Sequence, residues 1–327
     1  MFKANLAGVV AVIAAAPLLA APALAGEPYP SSKPVRLVVG FPPGGSVDAI
    51  ARALGEAMSR RLGQSVIVEN KPGAGTTIAA DAVARSKADG YTLYIGGAGV
   101  MGGDNALYPK LRYTAADFQP ITQLTTSPMM LVTGADSRFG TLGALLGAAR
   151  KEAGAINYSS SGSGAPTHLA GILFAKKAGV ELTHVPFKGG APSVTAVASG
   201  DIDIGFATPA SAMPLLAAGK LRLLAVSSPQ RFGLFPDAPT AMESGVPDYQ
   251  YATWWGLFAP AGTPRAVVDT LFGAAGDALG SPEVSKQLAS QGETAAPSES
   301  VQAFTRFARA EGEQSAQLIR DLGARVD

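Results

Sequence analysis

The amino-acid sequence predicts an α/β fold built as two units, and two observations carry this prediction. Short apolar runs, which are typical of buried strands, alternate with segments whose apolar residues recur at helical spacing. The alternation runs over residues 35–95 and starts again near residue 121. Strands and helices that alternate in this way form mostly parallel sheets covered by helices.

The first unit is predicted to contain, in order, a strand, a helix, a strand, a helix and a strand. Its opening strand is the apolar run VRLVV, and Gly63 follows the last apolar position of the next helix as a stop signal. The predicted elements are strands at 35–39, 65–69 and 91–95, and helices at 50–62 and 78–86.

The second unit repeats this alternation at greater length. Its predicted strands are 129–132, 156–159, 182–185, 202–206 and 221–226, and its predicted helices are 142–151, 167–178, 192–198 and 210–217. After residue 226 the pattern changes to proline-rich loops and an aromatic stretch over 249–258. Three helices are predicted after it, over 264–279, 282–291 and 298–322.

The first 25 residues have the features of a secretory signal peptide. Lys3 precedes an apolar run over 6–21, and Ala23-Leu24-Ala25 matches the small-residue pattern of a cleavage site. Prolines interrupt the run, which is also short for a membrane span. We therefore predict cleavage near Ala25 and export to the periplasm, without a membrane anchor.

Composition excludes several classes of function. One of the 26 Lys and Arg residues, Lys3, lies in the predicted leader, so the remaining basic residues balance the 25 Asp and Glu residues. A chain without net charge lacks the basic footprint of proteins that bind nucleic acid or anionic membranes. The sequence has no Cys and two His, which leaves no disulfide or thiol chemistry and little for a zinc site.

The most informative segment is 35–48, VRLVVGFPPGGSVD, in which a strand leads into a helix through a Pro-Pro-Gly-Gly turn. Pro42 and Pro43 donate no backbone N–H, while Gly44 and Gly45 allow a ligand close to the main chain. The free N–H groups at the following helix start, together with the helix dipole, suit an anion such as a carboxylate or a phosphate.

Three further loops of Gly and hydroxyl residues precede predicted helices, at 73–77, 159–167 and 188–193. In α/β sheets ligands bind beyond the carboxyl ends of the strands, where such loops lie. A single loop of this kind is explained equally well as a strand-to-helix connection. Lys71 and Lys188 are the nearest basic residues, and loop lysines are usually just solvated. Neutral donors would then hold the anion, which favours a carboxylate over a phosphate.

Several chemically active side chains allow two interpretations. Asp48, in the first turn of a helix, is a capping partner or a ligand contact. His168 is a structural hydrogen-bonding residue or a base, and Asp203, which shares a strand face with Asp201, is a candidate cleft residue but a poor metal ligand. The motifs of nucleotide-binding, zinc-protease and serine-hydrolase sites are absent. We therefore predict no catalytic residue, no metal and no cofactor.

Longer segments resemble one family, the tripartite tricarboxylate transporter receptors, which are periplasmic solute-binding proteins also called Bug receptors. The similar segments occur in the family's order and cover essentially the whole mature chain; they include VRLVVGFPPGGSVDAIAR, LGQSVIVENKPGAGTTIAADAVARSKADGYTL, INYSSSGSGAPTHLAGILF, HVPFKGGAPSV and SGDIDIGF. Ordered agreement over many segments is more specific than any single Gly-rich loop.

The resemblance implies a two-lobed periplasmic-binding-protein fold of the type II-like, Venus-flytrap kind. Lobe 1 would comprise residues 26–125 and 253–327, and lobe 2 residues 126–252. Strands near 121–129 and 251–258 would cross between the lobes. Each lobe would hold a mostly parallel sheet covered by helices.

The resemblance also implies which residues contact the ligand. In the first lobe these are Phe41, Gly44, Gly45, Ser46, Asp48, Thr76 and Thr77, and in the second lobe Ser160, Ser161, Gly162, Ser163, Thr167, His168, Phe187 and Asp203. Two features depart from the family pattern. Gly40 stands where Pro is common, and Thr76 and Thr77 stand where many members have Gly-Gly.

As a member of this family, the chain would capture a small carboxylate between its lobes and deliver it to a two-subunit membrane permease. The ligand would be a dicarboxylate or tricarboxylate, an acidic amino acid or an aromatic acid, and the receptor would act as a monomer. Two alternatives remain at this point. The loaded receptor could signal to a membrane sensor, or the Ser-rich loop could supply the nucleophile of an esterase through Ser161.

Overall fold

The computed structural model describes residues 29–108 and 110–321. In this part of the chain a six-stranded and a five-stranded β-sheet form, each with helices packed on it, and we call these units lobe 1 and lobe 2. Residues 1–25, the predicted leader, lie outside the described residues. No helix in the described ranges combines the length and the apolar character needed to cross a membrane.

The first part of lobe 1 alternates between strands and helices as predicted. Its elements are β1 (Val35–Val39), α1 (Ser46–Leu62), β2 (Val66–Asn70), α2 (Thr77–Ala84), β3 (Thr92–Gly96), α3 (Asp104–Leu107) and β4 (Phe118–Pro128). α1 buries the apolar positions of one face and is capped at its C-terminus by Gly63, whose φ of 64° only glycine adopts readily. The sequence did not predict α3 or the helical turn Gly99–Gly103 before it, because this short Gly-rich segment has no apolar periodicity.

Lobe 2 follows the predicted order of elements. They are β5 (Met130–Gly134), α4 (Leu142–Lys151), β6 (Asn157–Ser160), α5 (Pro166–Ala178), β7 (Thr183–Pro186), α6 (Gly190–Ala198), β8 (Ile204–Ala207), α7 (Pro209–Ala217) and β9 (Leu221–Val226). The bounds of α4 and β9 are those predicted. The chain then returns to lobe 1 through β10 (Ala252–Pro260), α8 (Arg265–Gly280), α9 (Pro282–Ala289), β11 (Thr294–Ala295) and α10 (Val301–Asp321).

The predicted α/β class with two lobes is confirmed, but the sheets are mixed rather than mostly parallel. The strand orders are β11-β4-β10-β3-β1-β2 and β7-β6-β8-β5-β9. Among the strands of the described residues, parallel pairing is limited to β1 with its neighbours β2 and β3, and to β6 with β7 and β8. One strand of each sheet comes directly from the other lobe and is antiparallel to both of its neighbours. In lobe 1 this is β10, between β4 and β3, and in lobe 2 it is β5, between β8 and β9. No helical crossover precedes these two strands, so nothing imposes the parallel direction on them.

The chain passes between the lobes at two places. β4 ends at Pro128 in lobe 1 and β5 begins at Met130 in lobe 2, while β9 ends at Val226 and β10 begins at Ala252. β4 and β10, which we call the crossing strands, pair along their whole length. We propose that the lobe boundaries lie at these two crossings, near the predicted 125/126 and 252/253.

The lobes also touch away from the crossing strands. The Tyr108 hydroxyl in lobe 1 donates to the carbonyl oxygen of Ser163 in lobe 2, at 3.1 Å. Leu107 and Ile319 of lobe 1 pack with Leu169 of lobe 2 in a small buried cluster. Gly164 has a φ of 83°, and a Cβ at this position would overlap the side chain of Leu107. The lobes are therefore closed onto each other at this point, and a glycine makes the contact possible.

α10 packs unusually closely on the helical turn Gly99–Gly103 of the same lobe. A Cβ at Gly312, in the middle of α10, would overlap the carbonyl group of Met101. In return, a Cβ at Gly102 would lie 2.8 Å from the carbonyl oxygen of Gly312. Two backbones thus meet without side chains between them, which fixes the returning helix against lobe 1.

Candidate functional site

A cavity of about 260 Å³ lies between the lobes and brings three of the predicted loops together. We call it the seat. Lobe 1 contributes the Pro-Pro-Gly-Gly turn and Trp255 of β10. Its lining residues are Phe41, Pro42, Pro43, Gly44, Gly45, Ser46, Val47, Trp255, Ser161, Pro166, Thr167, Lys188, Gly189, Gly190, Ala191, Pro192, Thr208 and Ser211.

Four helices begin at the wall of the seat. They are α1, α5, α6 and α7, whose N-cap residues are Gly45, Ala165, Gly189 and Thr208. None of these four N-caps makes a side-chain capping hydrogen bond. The first N–H groups of a helix have no partner within the helix, and the dipole places positive charge there. The seat therefore favours an anion through four helix starts at once.

The seat offers little side-chain charge of its own. Lys188 is the one charged residue among the lining residues that the structure describes. Phe41 and Trp255 form an apolar wall, with their ring centroids 5.6 Å apart in an edge-to-face arrangement. An anion with one apolar side would match this combination of main-chain donors and aromatic wall.

Asp48, for which the sequence predicts a capping or a ligand-contacting role, is hydrogen-bonded to neighbouring protein groups in the structure. Its carboxylate accepts hydrogen bonds from the Gly44 N–H at 3.0 Å, from Asn70 Nδ2 at 3.0 Å and from both Arg52 nitrogens Nε and Nη2 at 2.9 Å. The side chain is buried and is absent from the lining of the seat. Burial alone would raise the pKa of Asp48, but the hydrogen bonds from Arg52, Gly44 and Asn70 outweigh it and lower the pKa. Asp48 thus holds the Pro-Pro-Gly-Gly turn in place.

Asp48→Asn should lower the free energy of unfolding by about 2 kcal/mol, because it removes a charge that three partners stabilise. The lowered pKa means that this stability is present above the ordinary pKa of Asp and is lost as the pH falls through the lowered value. Urea unfolding at pH 7 and at pH 3 measures both effects. Asp81→Asn is the matched control, since Asp81 also pairs with an Arg four residues later but on the helix surface. Equal losses of unfolding free energy in Asp48→Asn and Asp81→Asn would contradict the role of Asp48 in holding the turn.

Two residues of the loop at 159–167 in lobe 2, Ser161 and Thr167, line the seat. Thr167 Oγ1 accepts from the Ser161 N–H at 2.9 Å and lies 2.8 Å from Ser161 Oγ. Both residues line the cavity, so their hydroxyls can turn toward a ligand. Among the described residues, the Ser161 hydroxyl has a hydrogen-bonding contact with Thr167 and none with a base.

Ser160 and His168 lie behind this loop instead of in it. Ser160 Oγ lies 2.6 Å from His184 Nε2, and the Gly164 N–H donates to His168 Nδ1 at 3.1 Å. The two imidazole rings stack with centroids 4.0 Å apart. Burial lowers the pKa of His168 to about 4, and burial together with His168 lowers that of His184 to about 3. Both rings are therefore neutral at pH 7 and support the loop from beneath.

The structure does not bring the other predicted contacts to the seat. Asp203 accepts from the Asn157 N–H at 3.0 Å in the lobe 2 sheet, and Phe187 packs against an apolar cluster of lobe 2. The Thr77 hydroxyl donates to the carbonyl oxygen of Ala74. Gly162 and Ser163 belong to the turn that leads to the Tyr108 contact and are likewise absent from the lining of the seat.

The two departures from the family pattern meet in space. A Cβ at Gly40 would lie 2.5 Å from the Cβ of Thr76, so Gly40 makes room for the threonine. Thr76 has a φ of 86°, a conformation that suits glycine and strains a β-branched residue. Thr76 lines a larger cleft of about 860 Å³, which shares Phe41, Pro166 and Trp255 with the seat.

Sequence reasoning missed several lining residues. The loop at 188–193 is predicted as a candidate, but its residues are not among the predicted contacts. Thr208 and Ser211 at the start of α7 are missed as well, although Thr-Pro followed by an apolar run is a recognisable helix start. Trp255 could not be assigned because a core aromatic and a cavity wall look alike in sequence. Among the described residues no group of three or more His, Cys, Asp or Glu is placed to hold a metal ion.

Comparison with known proteins identifies relatives along nearly the whole chain. The family model of the tripartite tricarboxylate transporter family receptor matches residues 50–324. The UPF0065 protein in the tcbD-tcbE intergenic region of Pseudomonas sp. (strain P51) is 40% identical over 259 residues, which cover 79% of this chain and 77% of the relative. Protein BugT of Bordetella pertussis is 32% identical over 329 residues, covering 100% of both chains.

Solved structures with the same fold include proteins with bound ligands. Rpa4515 of R. palustris, solved with adipate, superposes with a TM-score of 0.86 at 33% identity, covering 91% of this chain and 100% of its own. MatC of Rhodopseudomonas palustris, solved with bound malate, has a TM-score of 0.82 at 31% identity and covers 88% of this chain and 99% of its own.

Proposed function

Because the chain belongs to the family of tripartite tricarboxylate transporter receptors, we propose that it captures a small carboxylate in the seat, in the periplasm, for a two-subunit membrane permease. The family and the structural neighbours are solute-binding proteins and not enzymes. The esterase alternative is therefore set aside. The ligand would be a dicarboxylate or tricarboxylate, an acidic amino acid or an aromatic acid, and adipate and malate in two neighbours support this class.

The observation that carries the proposal is the convergence of four uncapped helix starts on one cavity between the lobes. Charge-assisted hydrogen bonds to main-chain N–H groups are about twice as strong as neutral ones, and exclusion of water strengthens them further. Because the donors come from both lobes, the ligand makes its full set of contacts only in the closed state. Binding therefore favours closure by the free energy of these extra contacts.

A thermal-shift screen of the mature chain tests this function. The panel contains succinate, malate, adipate, citrate, glutamate and benzoate, with inorganic phosphate and sulfate as anion controls. We expect at least one carboxylate to raise the melting temperature by about 5 °C at saturating concentration, since ligand at a hundredfold excess over Kd stabilises by about 2.7 kcal/mol. Calorimetric titration then gives the affinity. A flat response to every carboxylate, or an equal response to phosphate, would count against the proposal.

The remaining parts of the proposal have their own measurements. Periplasmic extracts should yield a chain whose N-terminus lies next to Ala25, as the leader predicts. Size-exclusion chromatography with light scattering should show a monomer before and after ligand addition.

A further inference from the structure

Unpartnered buried polar atoms are concentrated at the crossing strands. In the described part of the chain five buried side-chain atoms lack a hydrogen-bonding partner, and four of them are Thr125 Oγ1, Thr253 Oγ1, Trp255 Nε1 and Glu293 Oε2. Each such atom costs about 1–3 kcal/mol when it is removed from water without a partner. Their number and proximity distinguish this place from the rest of the fold.

The four atoms lie on one face of the crossing strands. Trp255 is paired with Thr125, and Thr253 with Ser127, so these four side chains point to the same side of the sheet. Glu293 precedes β11, which pairs with β4 at Thr125 and Thr126. Its Oε1 accepts from Ser127 Oγ at 3.2 Å, and the residue is 2% exposed. We call Thr125, Thr253, Trp255 and Glu293 the strand cluster.

The strand cluster adjoins the seat through Trp255. This residue is 5% exposed, lines the seat and also lines the larger cleft, whose wall includes Ser127 and Thr253. Behind the cluster, Gly292 packs directly on Pro209, the first residue of α7. A ligand whose carboxylate occupies the seat therefore has the indole of Trp255 beside it.

We propose that the strand cluster is a second polar subsite, which binds a hydroxyl group of the carboxylate held in the seat. The receptor would then prefer a hydroxycarboxylate over the same acid without the hydroxyl. This inference rests on the proposed function, because it assumes that a carboxylate occupies the seat.

The mixed chemistry of the cluster selects a hydroxyl among the groups that a small acid can carry. Trp255 Nε1 only donates, the ionised Glu293 only accepts, and the two threonine hydroxyls can do either. An ammonium group would leave Trp255 Nε1 without an acceptor, and a second carboxylate would meet like charge on the ionised form of Glu293. An apolar group would satisfy none of the four atoms. A hydroxyl accepts from the indole and donates to the carboxylate.

The state of Glu293 is compatible with this assignment. Burial raises the pKa of Glu293 to about 7, and the Ser127 hydroxyl, which donates to Oε1, opposes this effect only in part. Near neutral pH the side chain is present in both protonation states. A hydroxyl can donate to the ionised form and accept from the protonated form, so the subsite works in either state.

Calorimetric titration with matched acids tests the subsite. The pairs are malate against succinate, and citrate against propane-1,2,3-tricarboxylate, which differ by one hydroxyl. We expect the hydroxylated acid of at least one pair to bind about tenfold more tightly, which corresponds to about 1.4 kcal/mol. In Trp255→Phe and in Thr253→Val we expect this ratio to fall to about one. In Thr253→Val, which lies outside the lining of the seat, the affinity for the acid lacking the hydroxyl should change less than threefold.

The neighbouring tryptophan supplies a matched control. Trp254 faces the opposite side of β10, where its Nε1 donates to Glu311 Oε2 at 3.1 Å and its ring packs on Phe304 and Phe307 of α10. Trp254→Phe should therefore keep the preference for the hydroxylated acid. Thr253→Val removes an atom that has no partner in the ligand-free protein, so its melting temperature should not fall, which separates lost recognition from unfolding.

The outcomes separate this inference from the proposed function. If no carboxylate binds, both fail. If carboxylates bind without a preference within either pair, the receptor function stands and the hydroxyl subsite is wrong. The subsite is also wrong if the preference exists but survives both Trp255→Phe and Thr253→Val.

Discussion

Gly312→Val should lower the free energy of unfolding by about 3 kcal/mol or more, because the new side chain has no space to enter. The Cβ alone would overlap the main-chain carbonyl of Met101, and a backbone cannot move aside as the end of a flexible side chain can. α10 would have to lift away from the turn Gly99–Gly103 and expose apolar residues such as Phe304, which is fully buried. Calorimetry of the melting transition measures this loss.

Gly273→Val is the control for Gly312→Val. Gly273 also lies inside a helix, α8, but a Cβ there meets no atom within 4 Å. Valine has a slightly better helix propensity than glycine, so this variant should be neutral or slightly stabilised. The packing argument fails if the two variants melt within 2 °C or so of each other, a difference well below the expected effect.

Gly164→Leu should weaken carboxylate binding about 100-fold while the ligand-free fold stays largely intact. Gly164 lies in lobe 2, and any side chain there collides with Leu107 of lobe 1 in the closed contact. The collision is relieved when the lobes separate, so the substitution penalises the closed state selectively. A hundredfold loss corresponds to a penalty of about 2.7 kcal/mol on closure, which the ligand must offset. Calorimetric titration with the best acid of the screen measures it.

The backbone conformation of Gly164 requires its own control, because leucine is strained at positive φ wherever it stands. Gly200 has a φ of 84°, close to the 83° of Gly164, lies in the same lobe and would place a Cβ in open space. Gly200→Leu should therefore show a similar loss of stability with unchanged affinity. If both variants lose affinity equally, strain within lobe 2 and not the contact between lobes is responsible.

The elements of this fold could be predicted from the sequence where local periodicity determined them. α4 and β9 have the predicted bounds because their apolar positions recur without interruption. The insertion of β5 and β10 in the antiparallel direction could not be predicted this way. It depends on which lobe a strand enters from, and that information is not contained in any short window of sequence.

The site was predictable in its loops and less so in its residues. The Pro-Pro-Gly-Gly turn and the loop at 159–167 carry the chemistry of helix starts in their sequence, and both reach the seat through Gly45 and Thr167. The roles of individual side chains were harder to predict. Asp48 and His168 can form hydrogen bonds either with a ligand or with the loop beneath it. Their partners in the structure are Arg52 and Gly44 for Asp48 and the N–H of Gly164 for His168, and these partners could not be read from the sequence.

The fit between Gly40 and Thr76 has a consequence for how this receptor can evolve. A Cβ at position 40 would collide with Thr76, so a lineage that carries threonine at 76 cannot acquire proline at 40 by a single step without disturbing the first loop. The reverse order, in which Thr76 first becomes glycine, relieves backbone strain and opens that path. The two positions are therefore expected to covary among related sequences, and the order of their substitutions is constrained even though neither changes the charge of the cleft.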